Sequence, residues 1–278
     1  MIVRLMGGLG NQMFQYAMGK MLEVQKGETF YVDTFSFYRD KKRKYELNCF
    51  RIKEKKAPLF YLLYYNIFFY FGSEKKKSQE IYYESEIFQY QDICNAPQKY
   101  FVGSWQHEAY FENIKSELQE DFIFRNRFSS DVEKMEQMIL ERESVLVHVR
   151  RGDYLDCDDY EIVGEEYYKK AMQYIEERTM DTKFFVFSDD IEWCRKYFKK
   201  KKNIIFVTGN TGKEDFYLMC KCKHFIIANS TFSWWAAWLS DKNGIKVAPA
   251  RWFKDEKINK KVADALLKKF YVMNFTSS

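Results

Sequence analysis

The sequence predicts an α/β protein made of two parallel-sheet halves that face a central cleft. Three observations carry that expectation. The chain opens on a strand, a glycine-rich turn and a helix: IVRLM at 2–6, GGLGNQ at 7–12, then Met13, Ala17, Met21 and Val24 apolar at helical spacing. After residue 143, five apolar strand-like segments alternate with short helical patterns, the signature of parallel βαβ units. The composition is that of a folded globular chain, with 278 residues, 46% hydrophobic, 31% charged and only 3 prolines, a length that fits one large domain or two smaller ones.

In chain order, FYVDTF at 30–35 and KYFVGSW at 99–105 read as the next strands of the first half. Between them lies APLFYLLYYNIFFYFG at 57–72, apolar or aromatic almost throughout and flanked by lysines. It is shorter than the roughly 20 apolar residues of a membrane span, and Asn66 and four tyrosines interrupt it. A buried helix or aromatic wall of the first domain and an interfacial segment resting on an anionic membrane both stay open. Residues 129–143 read as a helix opened by a Ser and Asp cap. Then come strand SVLVHV, helix 165–178, strand KFFVFS at 183–188, helix 191–197 and strand NIIFVT at 203–208. Helix 213–222, strand HFIIAN at 224–229, helix 231–241 and strand IKVAPA at 245–250 follow. The expected division is 1–128, 129–256 and a C-terminal helical segment, 257–278, packing back across the first half. In such sheets ligands bind beyond the carboxyl ends of the strands, so the residues after each strand are the ones to inspect.

Net charge is +5, from 45 basic and 40 acidic residues. That excess suits an anionic ligand without calling for nucleic acid. The lysine-rich blocks at 41–44, 53–56, 74–77 and 199–202 read as solvated surface. Cysteines 49, 94, 157, 194, 220 and 222 form no CxxC pair; Cys220 and Cys222, with His224 nearby, lack the second pair a zinc site needs. Buried or free thiols in a reducing compartment are expected. The first apolar run is too short for a signal peptide, and the expected location is the cytoplasm, with peripheral contact on the inner membrane face through 57–72 left open.

Each strand end carries small, polar or charged residues that a scaffold does not demand. GGLGNQ, with Gly8, Gly10, Asn11 and Gln12, puts backbone N–H groups at a helix N-terminus, an anion-binding arrangement. It lacks the third glycine of GxGxxG and the GK[ST] of a Walker loop, so a tight turn and a phosphate cradle are both open. NSTFSWW repeats the arrangement with Asn229, Ser230, Thr231 and Phe232; ordinary N-capping also explains Ser230 and Thr231, and Trp234, Trp235 and Trp238 read as core. Ser188, Asp189 and Asp190 invite a metal reading, which the opposite directions of adjacent extended residues weaken; hydrogen bonding to guanine or ribose and plain helix capping are the alternatives. In HVRRGDY, His148 precedes Arg150, Arg151 and Asp153. Consecutive residues at a strand end point to opposite sides, so one guanidinium faces the cleft while the other pairs with an acid and braces the turn. A fixed guanidinium fork holds phosphate bidentately. A purely structural salt bridge is the alternative.

HVRRGDY, GGLGNQMFQYA, FSDD and NSTFSWWAAWL together resemble the motif set of the α-1,2-fucosyltransferases, glycosyltransferase family 11, in the right order from residue 7 to about 239. The resemblance implies a GT-B-like fold of two Rossmann-like domains, GDP-fucose as donor, inversion at the fucose carbon, no metal or other cofactor, and a terminal galactose on an oligosaccharide or lipid-linked glycan as acceptor. It implies that Arg150 contacts the donor's β-phosphate, that Asn11 reaches the donor from the first domain, and that Ser230 and Thr231 hold the pyrophosphate. Gly8, Gly10, Gln12, His148, Ser188, Asp189, Asp190, Asn229 and Phe232 complete the expected donor site. For the acceptor's proton, Asp153 is the leading base, with Asp156, Asp158 and Asp159 following in the same loop; Asp153 bracing Arg151 or orienting His148 is equally open. The first domain is expected to bind the acceptor, and 41–72 resembles nothing specific. Two other readings stand beside this one, a fucosyltransferase with a different acceptor and a non-catalytic binder of nucleotide sugars or anionic membranes.

Overall fold

A computed structural model of the chain describes residues 1–53, 55–73, 79–199 and 201–275. The block at 74–77 and Lys200 fall outside the described residues. The chain divides into two compact units, Met1–Arg125 and Asn126–Ser278, just ahead of the break expected after 128.

In the first unit, β1 (Ile2–Arg4), β2 (Tyr31–Asp33), β3 (Lys55–Lys56), β4 (Ile81–Tyr83) and β5 (Tyr100–Val102) form a sheet in the order β3-β2-β1-β5-β4. Every pairing in it is parallel. Its helices are α1 (Leu9–Lys26), α2 (Ser36–Arg39), α3 (Leu59–Phe71) and α4 (Lys115–Asp121). α1 begins at Leu9, so Gly10, Asn11 and Gln12 lie in its first turn and the loop is shorter than GGLGNQ suggests. The helix ends at Gly27, whose φ of 66° is the left-handed conformation that glycine adopts at a helix C-terminus. Sheet order reverses between β1 and β5, and the residues following those two strands occupy the switch point where open α/β sheets bind ligands.

Of the two readings left open for 57–72, a fully buried helix is not what forms. α3 is a helix, but of its residues only Tyr65 and Asn66 are buried, and none of the described helices is long and apolar enough to cross a membrane. Its inner side is fixed by polar groups. Arg4 Nη1 donates to Asn66 Oδ1 (2.8 Å) and to the Tyr100 hydroxyl (3.1 Å), and Arg4 Nη2 donates to the Tyr70 hydroxyl (2.9 Å). Asn66 Nδ2 donates to Asp33 Oδ2 (3.0 Å), which also accepts from the Tyr100 hydroxyl. Arg4 and Asp33 are the last residues of β1 and β2, so buried opposite charges at two strand ends are bridged by one helical amide.

The second unit has α5 (Ser130–Leu140), capped by Ser129 as expected, then β6 (Glu143–Val149), α6 (Glu165–Glu176), β7 (Thr182–Ser188) and α7 (Ile191–Phe198). These are followed by β8 (Ile204–Phe206), α8 (Gly212–Lys221), β9 (His224–Ile226), α9 (Thr231–Leu239), β10 (Lys246–Pro249), α10 (Glu256–Leu266) and β11 (Tyr271–Met273). The parallel order β11-β10-β9-β6-β7-β8 is doubly wound, with β6 central and the switch point between β6 and β9. The alternating strands and helices of the sequence are therefore present, and both units are Rossmann-like sheets of the expected α/β, GT-B-like class.

Residues 257–275 belong to the second unit. Val262, Ala265 and Leu266 bury one side of α10, Trp234 Nε1 donates to the Leu266 carbonyl (2.7 Å), and β11 extends the sheet beside β10. Trp234, Trp235 and Trp238 are core. Asn66→Ala is expected to lower stability by about 2–3 kcal/mol, because it leaves Arg4 and Asp33 short of a buried partner. A lower urea midpoint with an unchanged m-value checks this.

Candidate active site

Parallel pairing of β6 and β7 runs from Glu143 opposite Thr182 to Val149 opposite Ser188. Extended past the strand ends, the same register sets Arg150 against Asp189 and Arg151 against Asp190. The side chains follow it: Arg150 Nη1 lies 3.0 Å from Asp189 Oδ2, and Arg151 Nε lies 3.2 Å from Asp190 Oδ2. Asp189 Oδ1 also accepts from the Arg151 backbone N–H (2.9 Å), and Asp190 Oδ1 caps α7 by accepting from the Trp193 N–H (3.1 Å). Ser188 Oγ accepts from the Asp190 N–H (2.9 Å). A Cβ at Gly152 would stand 2.6 Å from Asp189 Oδ2, so glycine is required for that carboxylate to reach the arginines.

This corrects the expectation that only one arginine pairs with an acid. Both do, each aspartate being turned to one guanidinium. Arg151 is the more enclosed, lying 4.5 Å over the Trp193 ring. Arg150 is shared between Asp189 and Asp153, whose Oδ1 accepts from Nη2 at 2.6 Å, and its side chain is 27% exposed against 17% for Arg151. Asp153 therefore braces Arg150. Asp156, Asp158 and Asp159 lie in the exposed part of the loop beyond it.

At the facing strand, Asn229 Nδ2 donates to the carbonyls of Glu161 and Trp252 (both 2.9 Å), which makes Asn229 a buried brace between two loops. Ser230 caps α9, its Oγ accepting from the Phe232 N–H (3.3 Å), and Thr231 opens the helix. The Phe232 ring sits 6.0 Å from His148 and 5.0 Å from Phe216. Tyr154, quoted within the arginine motif but given no role there, joins the two sides of the switch point: its hydroxyl donates to the Asn229 carbonyl (3.0 Å). Its ring stacks on Tyr160 at 4.2 Å, and Tyr160 stacks on Phe253 at 5.2 Å. Burial pushes the Tyr154 hydroxyl pKa up, so it remains a donor at neutral pH.

Two titratable groups of the second unit have strongly shifted pKa values. His148 is buried, its Nδ1 has no hydrogen-bond partner, and burial, aided by the Arg150 charge, lowers its pKa to about 3. A neutral ring with an unmatched polar atom at a switch point is what a ligand-facing histidine presents. Asp215, in the first turn of α8 beside Phe216, is pushed up to about 6 by burial, and Asn210 Nδ2 donates to it (3.0 Å). Sequence reasoning missed Asp215 because an acid in a helix's first turn is ordinary. His224, noted with the cysteines, instead closes the sheet edge, with Nε2 2.6 Å from Glu143 Oε1 and Nδ1 accepting from the Ile245 N–H.

The first unit presents its own switch point. Gly7 has φ 77°, and Gly8 is the extended N-cap of α1. Asn11 is partly exposed and its Oδ1 accepts from Gln106 Nε2 (3.2 Å), linking the residues after β1 to those after β5. Gln12, expected at the donor, is fully buried and turned to backbone: Nε2 donates to the Gly7 and Lys44 carbonyls and Oε1 accepts from the Glu46 N–H. Gly10 is buried in the same turn. Glu84 Oε2 and Oε1 accept from the Ser104 (2.6 Å) and Trp105 (3.0 Å) N–H groups, holding the turn in which Trp105 takes a φ of 56°.

Protonation of His148 in the native state is deferred from about 6.5 to about 3, so the unfolded chain takes up that proton first and stability falls as pH drops through this window. Between pH 7 and pH 5, His148→Gln is expected to lose about 2 kcal/mol less than the parent chain. Denaturant unfolding of both proteins at the two pH values measures the difference.

The model of glycosyl transferase family 11 matches residues 1–274. The chain is 37% identical to an alpha-1,2-colitosyltransferase of Escherichia coli over 93% of this chain and 94% of that protein. It is 31% identical to the O-antigen biosynthesis glycosyltransferase WbnK of E. coli, over 94% and 97% of the two. With galactoside alpha-(1,2)-fucosyltransferase 1 of Rattus norvegicus it shares 29% identity over 53% of this chain and 43% of that one. Among solved structures it resembles FUT1 of Arabidopsis thaliana (TM-score 0.51, 13% identity, 88% and 70% of the two chains covered). It also resembles the fucosyltransferase NodZ of Bradyrhizobium (TM-score 0.50, 14% identity, 86% and 91% covered). Given a family match along almost its whole length and two relatives above 30% identity that it spans nearly end to end, the chain belongs to glycosyl transferase family 11.

Proposed function

We propose that the protein transfers L-fucose from GDP-fucose to the 2-hydroxyl of a terminal galactose, with inversion and without a metal ion. The observation that carries this reading is Arg150. It sits at the carboxyl end of the central strand, at the switch point, oriented by two carboxylates yet partly open to solvent. A guanidinium has five N–H donors, more than those two contacts occupy, and its charge does not titrate near neutrality. Such a group takes up the negative charge that develops on a departing diphosphate, as preorganised electrostatic stabilisation. The N-terminus of α9, with Ser230 and Thr231, adds backbone N–H groups on the same side. His148 Nδ1 and the Asp215 carboxyl offer an acceptor and a titratable group for a purine's edge.

In this reading the reaction is a single displacement through an oxocarbenium-like transition state. The diphosphate replaces Asp153 on Arg150 Nη2 as it binds. The proton of the attacking hydroxyl leaves to a base on the face opposite the departing diphosphate.

A second donor is favoured by one observation: the relative that is 37% identical across nearly the full length is a colitosyltransferase, whereas the likeness to the galactoside fucosyltransferase covers about half of this chain. Colitose is fucose without its 3-hydroxyl, so the two readings share the α-1,2 bond and differ in one donor contact. A site built to hydrogen-bond that hydroxyl rejects the deoxy sugar strongly, by as much as about 10⁴-fold. Incubation with GDP-fucose or GDP-colitose and a panel of galactose-terminated glycans, with the linkage read by NMR and a chelator in parallel, tests donor, acceptor and metal independence together. The expected product is α-1,2-fucosyl galactose, undiminished by chelator. Arg150→Ala is expected to lower turnover by roughly 100-fold or more while its circular dichroism stays that of the parent. Turnover at the parent rate would remove the phosphate role.

A further inference from the structure

α3 packs Leu62, Tyr65, Phe68 and Phe69 into a core cluster with Ile2, Ile81, Tyr100 and Val102, yet its outer side is apolar where an ordinary surface helix shows polar residues to water. Here the inward positions carry the helix's amide, Asn66, held by Arg4 and Asp33. Tyr65 joins it, stacked on Tyr100 at 4.7 Å. The outward positions Leu59, Phe60, Leu63, Ile67 and Phe71 are apolar and exposed, from 53% to 85%. Because the inner side is pegged by buried hydrogen bonds, the helix cannot roll to hide this face without breaking them. Tyr61 and Tyr64 lie at its margins, both exposed, with Glu80 beside the Tyr64 hydroxyl. Lys53, Lys55 and Lys56 precede its N-terminal end and are exposed.

We infer that this face of α3 is a docking surface for an anionic lipid bilayer, with the apolar side chains entering the boundary between headgroups and acyl chains and the lysines on the phosphates. The 13 residues of α3 make a helix of roughly 20 Å. That is too short for a hydrocarbon core of about 30 Å, so the helix lies along the interface. Tyrosines at the margin suit that depth, where one end of the ring is apolar and the other wet. Charge selects the bilayer over a second copy of the chain: an isologous contact through this face would bring lysine-flanked segments of both copies together, whereas an anionic surface complements them.

Flotation with vesicles of phosphatidylcholine alone, or containing roughly 30% phosphatidylserine, tests this directly. The protein is expected to float with the anionic vesicles, less so at high salt, and to ignore the neutral ones. Replacing Phe60, Leu63 and Ile67 with serine is expected to lower binding by at least about 10-fold with an unchanged unfolding midpoint, since these side chains are already in water. A second variant, Lys53→Glu with Lys55→Glu and Lys56→Glu, is expected to weaken it too, by roughly five-fold for each lysine near the surface. Absence of vesicle binding, equal binding by both variants, or a dimer in sedimentation equilibrium that the serine variant dissolves would each overturn the proposal.

Discussion

Two consecutive arginines lie opposite two consecutive aspartates because β6 and β7 pair in parallel and keep one register to their ends. The constraint is geometric before it is electrostatic. Partly exposed ion pairs contribute only about 1 kcal/mol each, so Arg150–Asp189 and Arg151–Asp190 do little to hold the sheet together. Their effect is on direction, because each guanidinium is pinned from one side and cannot sweep its full rotamer range. Moving the register of β6 against β7 by one residue would separate both pairs.

Other features of the second unit follow from that arrangement. Gly152 is glycine because Asp189 occupies the space of its side chain. Asp190 serves two elements at once, capping α7 and holding Arg151, so the helix start and the arginine are fixed relative to each other. With Arg151 enclosed against Trp193 and Arg150 more open, the pair divides into a group that supports the turn and one presented at the strand end. The positive charge at Arg150 also helps keep His148 neutral, so the strand delivers a fixed cation and an uncharged ring two residues apart. Tyr154 then closes the motif onto β9, which makes the switch point one connected piece.

Much of this was legible in the sequence, and where it was not the reasons are physical. Alternation of apolar strands and short helices after residue 143 marks the doubly wound sheet, since buried parallel strands read as continuous apolar runs. β3, β4 and β11 escaped because strands of two or three residues show no period. The motifs correctly pointed to strand ends, but residue type does not say which way a polar side chain turns. Gln12 and Asn229 stand in motif positions and spend their amides on loop carbonyls, whereas Asp215 stands in a commonplace helical turn and becomes unusual only through burial. The exposed face of α3 was illegible for a related reason: an almost wholly apolar segment gives no amphipathic pattern, and its orientation is set by Arg4 and Asp33, far away in sequence.

The central claim is that Arg150 is held in place to receive the distal phosphate of a nucleoside diphosphate. Calorimetric titration of guanosine, GMP and GDP into the parent protein and Arg150→Ala tests it most directly, because the step from GMP to GDP isolates that phosphate. GDP is expected to bind the parent at least about 10-fold more tightly than GMP, an advantage that disappears in Arg150→Ala while guanosine affinity is kept. An undiminished preference for GDP over GMP in the variant would contradict it.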